Sequence, residues 1–295
     1  MRRYRMKKLK ISKKTSILEK NKLYSYLGYI PVTIWVIFTF VLVGWVFCAS
    51  LSTSPEIFSD HMFSFKTGLH FENYAKAWKA QNVSVFFLNS VLYSIISITA
   101  IVIIASPAAY ALSRYKFPGN TLIQNMFAAA LGIPVIMIVM PLFGIVTSIR
   151  LTNNRWVMMF LYTAMNVPFA VFYLLAFFRN LSSTYEEAAA IDGCSPIKTF
   201  WKIMLPLAQP GIVTMTVFIF IIIWNEYFMG LIFANRPAVR PVAVGLYQLI
   251  SSMRYTGDWA GMFAGVVIVC LPTFILYIFL SDKIIKGVTA GAIKG

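Results

Sequence analysis

Acidic side chains are scarce in this chain: 10 Asp and Glu stand against 26 Lys and Arg. Charged residues of both signs make up 12% of it, where a soluble domain carries about 25%. Histidine is nearly missing. The two present, His61 and His70, fall in one loop, which argues against a histidine-based catalytic or zinc site. The three cysteines, Cys48, Cys194 and Cys270, lie far apart and form no CxxC pair, so neither a disulfide framework nor a metal cluster is indicated. No G-x-x-x-x-G-K-[ST] phosphate loop occurs, so the chain is not expected to hydrolyse ATP by itself.

What the sequence does have is apolar surface. Hydrophobic residues are 59% of 295, more than a water-soluble globule could hide, and the bilayer is the expected solvent. The formal net charge of +16 could signal a nucleic-acid partner. The basic residues sit between apolar runs, however, which is the pattern of membrane topology, and no nucleic-acid partner is expected.

A spanning helix needs about 20 apolar residues, because hydrocarbon offers nothing to an unpaired backbone group. Charge-free gaps place six spans near 27–50, 86–112, 122–147, 156–178, 212–233 and 259–280. With the N-terminus in the cytoplasm, eighteen of the 26 Lys and Arg fall on the inner side, and both termini lie inside. Residues 1–25 read as a basic cytoplasmic tail, and 26–295 as one all-α membrane domain. The apolar stretch after the tail is too long for a signal peptide. Pro107, Pro134, Pro141, Pro168 and Pro272 interrupt apolar runs and are expected to bend them. In the outer loop 51–85, Phe58, Phe63, Phe65, Phe71, Tyr74 and Trp78 suggest an interfacial helix with aromatic anchors.

One inner segment is too long to be a plain connector. Residues 180–210 read NLSSTYEEAAAIDGCSPIKTFWKIMLPLAQP. Ser183 with Glu186, or Thr184 with Glu187, fits a capping box. Gly193 suits a left-handed helix cap, and Ser195 with Pro196 starts a second helix that should stop before Pro206. Helix–turn–helix is predicted. Ala188 and Ala189 would let a partner approach closely, with Glu187 and Asp192 at the rim, and Phe200, Trp201 and Ile203 could anchor the second helix. The residues alone equally allow a hairpin that merely covers the span ends.

The segment resembles the EAA loop of ABC importer permeases. Glu187-Ala188-Ala189 is followed by three residues, Gly193, nine residues, then Ile203, Leu205 and Pro206, and every fixed position matches. Asp192-Gly193, Phe200, Pro206-Leu207, Trp224-Asn225-Glu226 and the ending Lys286-Gly287-Val288-Thr289-Ala290-Gly291-Ala292-Ile293-Lys294-Gly295 look like the carbohydrate-specific, maltose-type branch, the ending like that of its second permease subunit. The resemblance covers nearly the whole chain after the tail. Cys194 departs from the family's usual alanine, and the tail is longer than expected.

The resemblance implies a sugar importer: this chain, a sister permease, two ATP-binding subunits and an extracellular sugar-binding protein. No cofactor is expected on this chain, ATP and Mg being used by the partner ATPase. Glu186, Glu187, Ala188, Ala189, Asp192, Gly193, Phe200, Ile203, Leu205 and Pro206 would form the coupling loop. Trp224, Asn225 and Glu226 become candidates for the pathway or the sister interface. The loop 234–258, with Arg240, Tyr247 and Arg254, resembles the region that contacts the binding protein. A secondary transporter is the main competing class, and would need several polar or acidic groups inside its spans. Glu226 is the one acid placed there. A membrane enzyme would need convergent nucleophile, base or metal clusters, which the sequence does not suggest.

Overall fold

The computed structural model describes residues 22–59 and 65–292. The basic tail up to residue 21, His61, Phe63 and the last three residues of the C-terminal run lie outside them. Every regular element among the described residues is helical. Four helices are long and apolar enough to cross a membrane, or up to six spans if each of two bent pairs counts as one.

The chain divides into two compact units, Met1–Cys48 and Ala49–Gly295. The first contains most of helix α1 (Lys22–Ser50). Its side chains from Tyr29 to Val43 are exposed, and apolar ones face every direction, Trp35 and Phe40 among them. Such a helix requires surroundings other than water.

The second unit begins with a layer of short helices. Helix α2 (Ser54–Ile57) is short and α3 (Glu72–Lys79) follows it. Asn73 is buried and donates to the carbonyls of Ser50 and Ser52 at 3.0 and 2.9 Å. Glu56 closes the loop: its carboxylate accepts from the Thr53 amide at 3.1 Å, the Thr53 hydroxyl at 3.1 Å and the Thr67 amide at 3.0 Å. Of the loop aromatics, Phe58 packs edge-on against Trp259, Trp78 against Phe87, and the Tyr74 hydroxyl meets Ser50. Phe71 stays exposed.

The core is built on α4 (Val83–Arg114) and α7 (Arg155–Asn180). They run side by side in the same direction, Tyr93 against Tyr162 at one end and Tyr110 against Phe178 at the other. Ile101, Ala105, Ala109, Met158, Val171 and Leu174 fill the seam with almost no exposure. Small residues on α4 let the two backbones close on each other, the usual means of association where lipid is as apolar as leucine.

Between them in the chain comes the first bent pair, α5 (Asn120–Leu131) and α6 (Val135–Ser148), which meet at 96°. One continuous span near 122–147 is thus replaced by two helices. The break falls at Gly132-Ile133-Pro134, where proline supplies no amide and disfavours helix in the residue before it. The other prolines, at 107, 141, 168 and 272, stay inside continuous helices.

Helix α8 (Thr184–Ile191) and helix α9 (Pro196–Leu207) form a hairpin, and α9 meets α10 (Gln209–Trp224) at 70°, the second bent pair. Beyond α10 come α11 (Phe228–Phe233), α12 (Val242–Thr256) and α13 (Trp259–Ala292). The expected span near 212–233 is thus split between α10 and α11. Trp224 ties α10 to α13 by donating to the Val269 carbonyl at 3.0 Å. Gly245 lets α12 press onto α4: a Cβ there would lie 2.0 Å from a ring carbon of Phe86.

The hydrogen bonds on Glu56, led by that from the Thr53 amide, lower its pKa from the ordinary 4.5 to about 2. A depressed carboxylate contributes stability above its unfolded pKa and loses it as pH falls through the folded value. Protease sensitivity of the 51–72 loop is therefore expected to rise between about pH 4.5 and about pH 2. Glu56→Gln should show the same sensitivity already at neutral pH. An identical cleavage profile for wild type and variant would contradict this.

Candidate functional site

Two places concentrate chemistry: the α8–α9 hairpin and the break between α10 and α11.

The hairpin is locally encoded. Gly193 adopts φ +72, the left-handed conformation open to glycine at little cost. The Cys194 amide reaches back to the Ala189 carbonyl at 2.9 Å and the Gly193 amide to Ala190 at 3.1 Å, which closes α8. The Ser195 side chain accepts from the Lys198 amide at 3.4 Å, and Pro196 opens α9. Two local expectations are corrected. Ser183 caps α8 without a side-chain bond, because its own backbone is already helical (φ −68, ψ −16) rather than extended. Helix α9 does not stop before Pro206. A π-turn at Phe200–Met204 lets the Leu205 amide bond to Phe200, and the helix continues to Leu207. The widened turn absorbs the residue that brings no amide.

Long-range contacts then fix the hairpin to the bundle. Glu186 forms an ion pair with Arg114 at the end of α4, Nε to Oε1 3.0 Å, with both side chains largely covered. Arg114 also donates to the Leu181 carbonyl at 2.8 Å. Phe200 is buried between Tyr110 of α4 and Phe178 of α7, ring centroids 5.0 and 6.5 Å away. Such aromatic pairs each contribute about 0.5–1.5 kcal/mol beyond their buried area. Ala189, Thr199 and Met204 face inward, and Ile203 and Leu205 pack against the core. The opposite side is open: Glu187, Ala188, Asp192, Gly193 and Pro206 are exposed. Ile191 and Ile197 are 87% and 74% exposed, and Trp201 is 52% exposed.

At the other end of α10 the helix stops at Trp224, and Glu226 occupies the break. Its carboxylate accepts from the amides of Met229 and Gly230 at 2.7 and 3.0 Å, which are in the first turn of α11. The Tyr162 hydroxyl of α7 donates to the same group at 3.0 Å. Trp224 is buried, while Asn225 is exposed and bonds back to Ile221. The chain after α11 is strapped to α4. Asn89 donates to the carbonyls of Ala238 and Arg240 at 3.0 and 2.9 Å, Tyr93 to that of Val239 at 2.6 Å, and Ser90 accepts from the Val242 amide at 2.8 Å. Arg155 donates to the Ala238 carbonyl at 2.8 Å.

The family model for binding-protein-dependent transport system inner membrane components matches residues 101–286, a range that holds both places. The chain belongs to this family. The diacetylchitobiose uptake system permease protein NgcG of Streptomyces coelicolor is 30% identical over 93% of this chain and 90% of its own length. The trehalose/maltose transport system permease protein MalG of Thermococcus litoralis is 30% identical over 91% and 95%. A crystal structure of a bacterial ABC transporter that imports the acidic polysaccharide alginate contains a chain with the same fold. The match has a TM-score of 0.76 at 21% identity and covers 89% of this chain and 97% of that one. The protein is therefore a multi-pass inner-membrane permease subunit of a binding-protein-dependent ABC importer. It works with a partner permease, an ATPase and a substrate-binding protein, and has no ATPase site of its own.

In this permease the candidate residues separate by location. Glu186 and Phe200 hold the hairpin from within, and Glu187, Ala188 and Asp192 face outward. Trp224, Asn225 and Glu226 cluster at the span break. Arg240 donates to Gln248 at 2.7 Å and to the Asn235 carbonyl. Tyr247 stacks edge-on with Tyr227, and Arg254 lines a cavity of 310 Å³ with Ser251 and Tyr255. Sequence reasoning missed Arg114, Tyr162 and the strap from Asn89, Ser90 and Tyr93. Polar side chains within an apolar run were the available signal, but nothing local named their partners.

Removing the Glu226 carboxylate leaves two amides in apolar surroundings. Glu226→Ala is expected to cost about 3 kcal/mol and Tyr162→Phe about 1 kcal/mol. Unfolding of the detergent-solubilised permease measures both. Losses below about 0.5 kcal/mol for Glu226→Ala would remove the capping role assigned by geometry.

Proposed function

We propose that this permease forms half of the pathway through which a sugar or oligosaccharide enters the cell. Both termini lie in the cytoplasm, the α8–α9 hairpin docks in a cleft of an ATP-binding subunit, and the 234–258 loop meets an extracellular sugar-binding protein. Two ATP-binding subunits, which use ATP and Mg, and one sister permease complete the assembly. Residues 1–25 serve as a basic cytoplasmic tail before the membrane domain. The sugar assignment is supported by relatives named for diacetylchitobiose and for trehalose and maltose.

The observation that carries the coupling role is the two-sidedness of the hairpin. One side is fastened to α4 and α7 by the Arg114–Glu186 pair and Phe200. The other presents Ile191 and Ile197 on a rim with Glu187 and Asp192. Exposed apolar side chains rimmed by charged ones, with Trp201 also exposed, suit a partner's cleft. Closure of that cleft on ATP binding would push on Ala188, Ile191 and Ile197. The push passes through Phe200 into α4 and α7, and through the α9–α10 bend into α10. Gly193 fixes the angle of the hairpin, and Glu187 and Asp192 set its register against the partner. Trp224, Asn225 and Glu226 lie where α10 delivers that motion, and Arg240, Tyr247 and Arg254 lie on the segment strapped beside them.

In a reconstituted transporter, Gly193→Pro and Glu187→Lys are expected to abolish uptake while ATP hydrolysis continues and the protein stays in the membrane. Wild-type uptake by both variants would refute the coupling role. Deleting 240–250 should remove stimulation of ATP hydrolysis by the loaded binding protein; full stimulation would exclude that contact.

A further inference from the structure

A polar cavity of 480 Å³ opens where three span ends meet: the last turn of α4, the first turn of α5 and the last turn of α7. Arg114, Lys116 and Arg179 line it with Ser113, Thr121 and Gln124. The charge there is unbalanced. Arg114 is neutralised by Glu186. Arg179 donates instead to a neutral amide oxygen, Gln124 Oε1, at 2.7 Å. Lys116 is exposed and makes no ion pair among the described residues. The cavity therefore holds two positive charges without a carboxylate to match them.

The polar floor is built, not loose. Gln124 Nε2 donates to the Leu112 carbonyl at 3.1 Å and to Asn120 Oδ1, which fixes the amide with its oxygen toward Arg179. Asn120 donates in turn to the carbonyls of Leu112 and Tyr115 at 3.2 and 2.6 Å. Gln124, itself braced by Asn120, holds the Arg179 guanidinium in place before any ligand arrives. The amide end of α5, with Gly119 as a cap that has no side chain, adds a positive dipole to the same space.

The rim decides the kind of anion. Tyr115 and Phe117 line the cavity and are 45% and 38% exposed, and Leu122 on the adjoining turn of α5 is 64% exposed. A small inorganic anion would leave this apolar rim unused. A ligand with a phosphate head and acyl chains would cover both surfaces, and basic pockets between span ends bind such heads. We propose that this cavity binds the headgroup of an anionic phospholipid from the leaflet on its own side of the bilayer.

The test uses the intact detergent-solubilised transporter, stripped of native lipid. Phosphatidylglycerol or phosphatidylcholine in mixed micelles, and inorganic phosphate alone, are titrated while the thermal unfolding midpoint is followed. Phosphatidylglycerol should raise the midpoint well beyond the other two. Lys116→Gln and Arg179→Gln should each weaken its apparent affinity about fivefold, the effect of one basic contact at a membrane surface. Lys76→Gln, on α3 and away from the cavity lining, should not. Should Arg179→Gln fail to assemble, Lys116→Gln carries the test, because its side chain makes no hydrogen bond within the described residues. Equal stabilisation by phosphatidylcholine, or equal loss in Lys76→Gln, would overturn a specific site. Inorganic phosphate matching phosphatidylglycerol would overturn the lipid assignment, and so would cross-linking that places a neighbouring subunit on Lys116 with no response to either anion. None of these outcomes depends on which solute the importer carries.

Discussion

In hydrocarbon a helix can break only where something in the protein takes up the freed backbone groups. That constraint shapes the polar interior of this permease. Between α10 and α11 the carboxylate of Glu226 does the work, serving two amides and one tyrosine hydroxyl at once. The following segment depends on the same logic. Its carbonyls at 238–240 meet Asn89, Tyr93 and Arg155, and the amide of Val242 meets Ser90. The irregular backbone is tolerated because α4 and α7 carry donors and acceptors at matching heights.

The two ends of the bundle are fastened differently. Around Glu226 the contacts are hydrogen bonds to backbone, directional and short. At the hairpin they are one largely covered ion pair and a group of aromatic rings. Backbone bonds define a geometry closely, whereas tilted and edge-on rings tolerate small shifts while staying in contact. The bundle thus has a directional hydrogen-bonded clamp around Glu226 and a hairpin held by one ion pair and packed rings.

Legibility followed sequence distance. The turn at Gly193 and the cap at Ser195-Pro196 depend on residues within four positions, and both could be read directly. The Arg114–Glu186 pair joins residues from opposite sides of two further spans, and no periodicity connects them. Glu186 also shows how tertiary partners displace local ones: its capping-box spacing is correct, yet the guanidinium of Arg114 claims its side chain. The six apolar runs were visible as composition. Their continuity was not, because proline sits harmlessly inside α4, α6, α7 and α13 and marks a break at Pro134. Span 5 broke without a proline, at Asn225-Glu226, where side chains that compete for backbone bonds replace it.

The 70° bend between α9 and α10 has a geometric consequence. Helix α10 has 16 residues and is therefore about 24 Å long. A rotation of about 10° at the elbow displaces its far tip by about 4 Å, roughly three quarters of the rise of one helical turn. If the hairpin passes on a partner's motion as proposed, the elbow would work as a bell crank: a modest twist of α9 would become a sideways stroke of the far end of α10, at the residues where the span is severed.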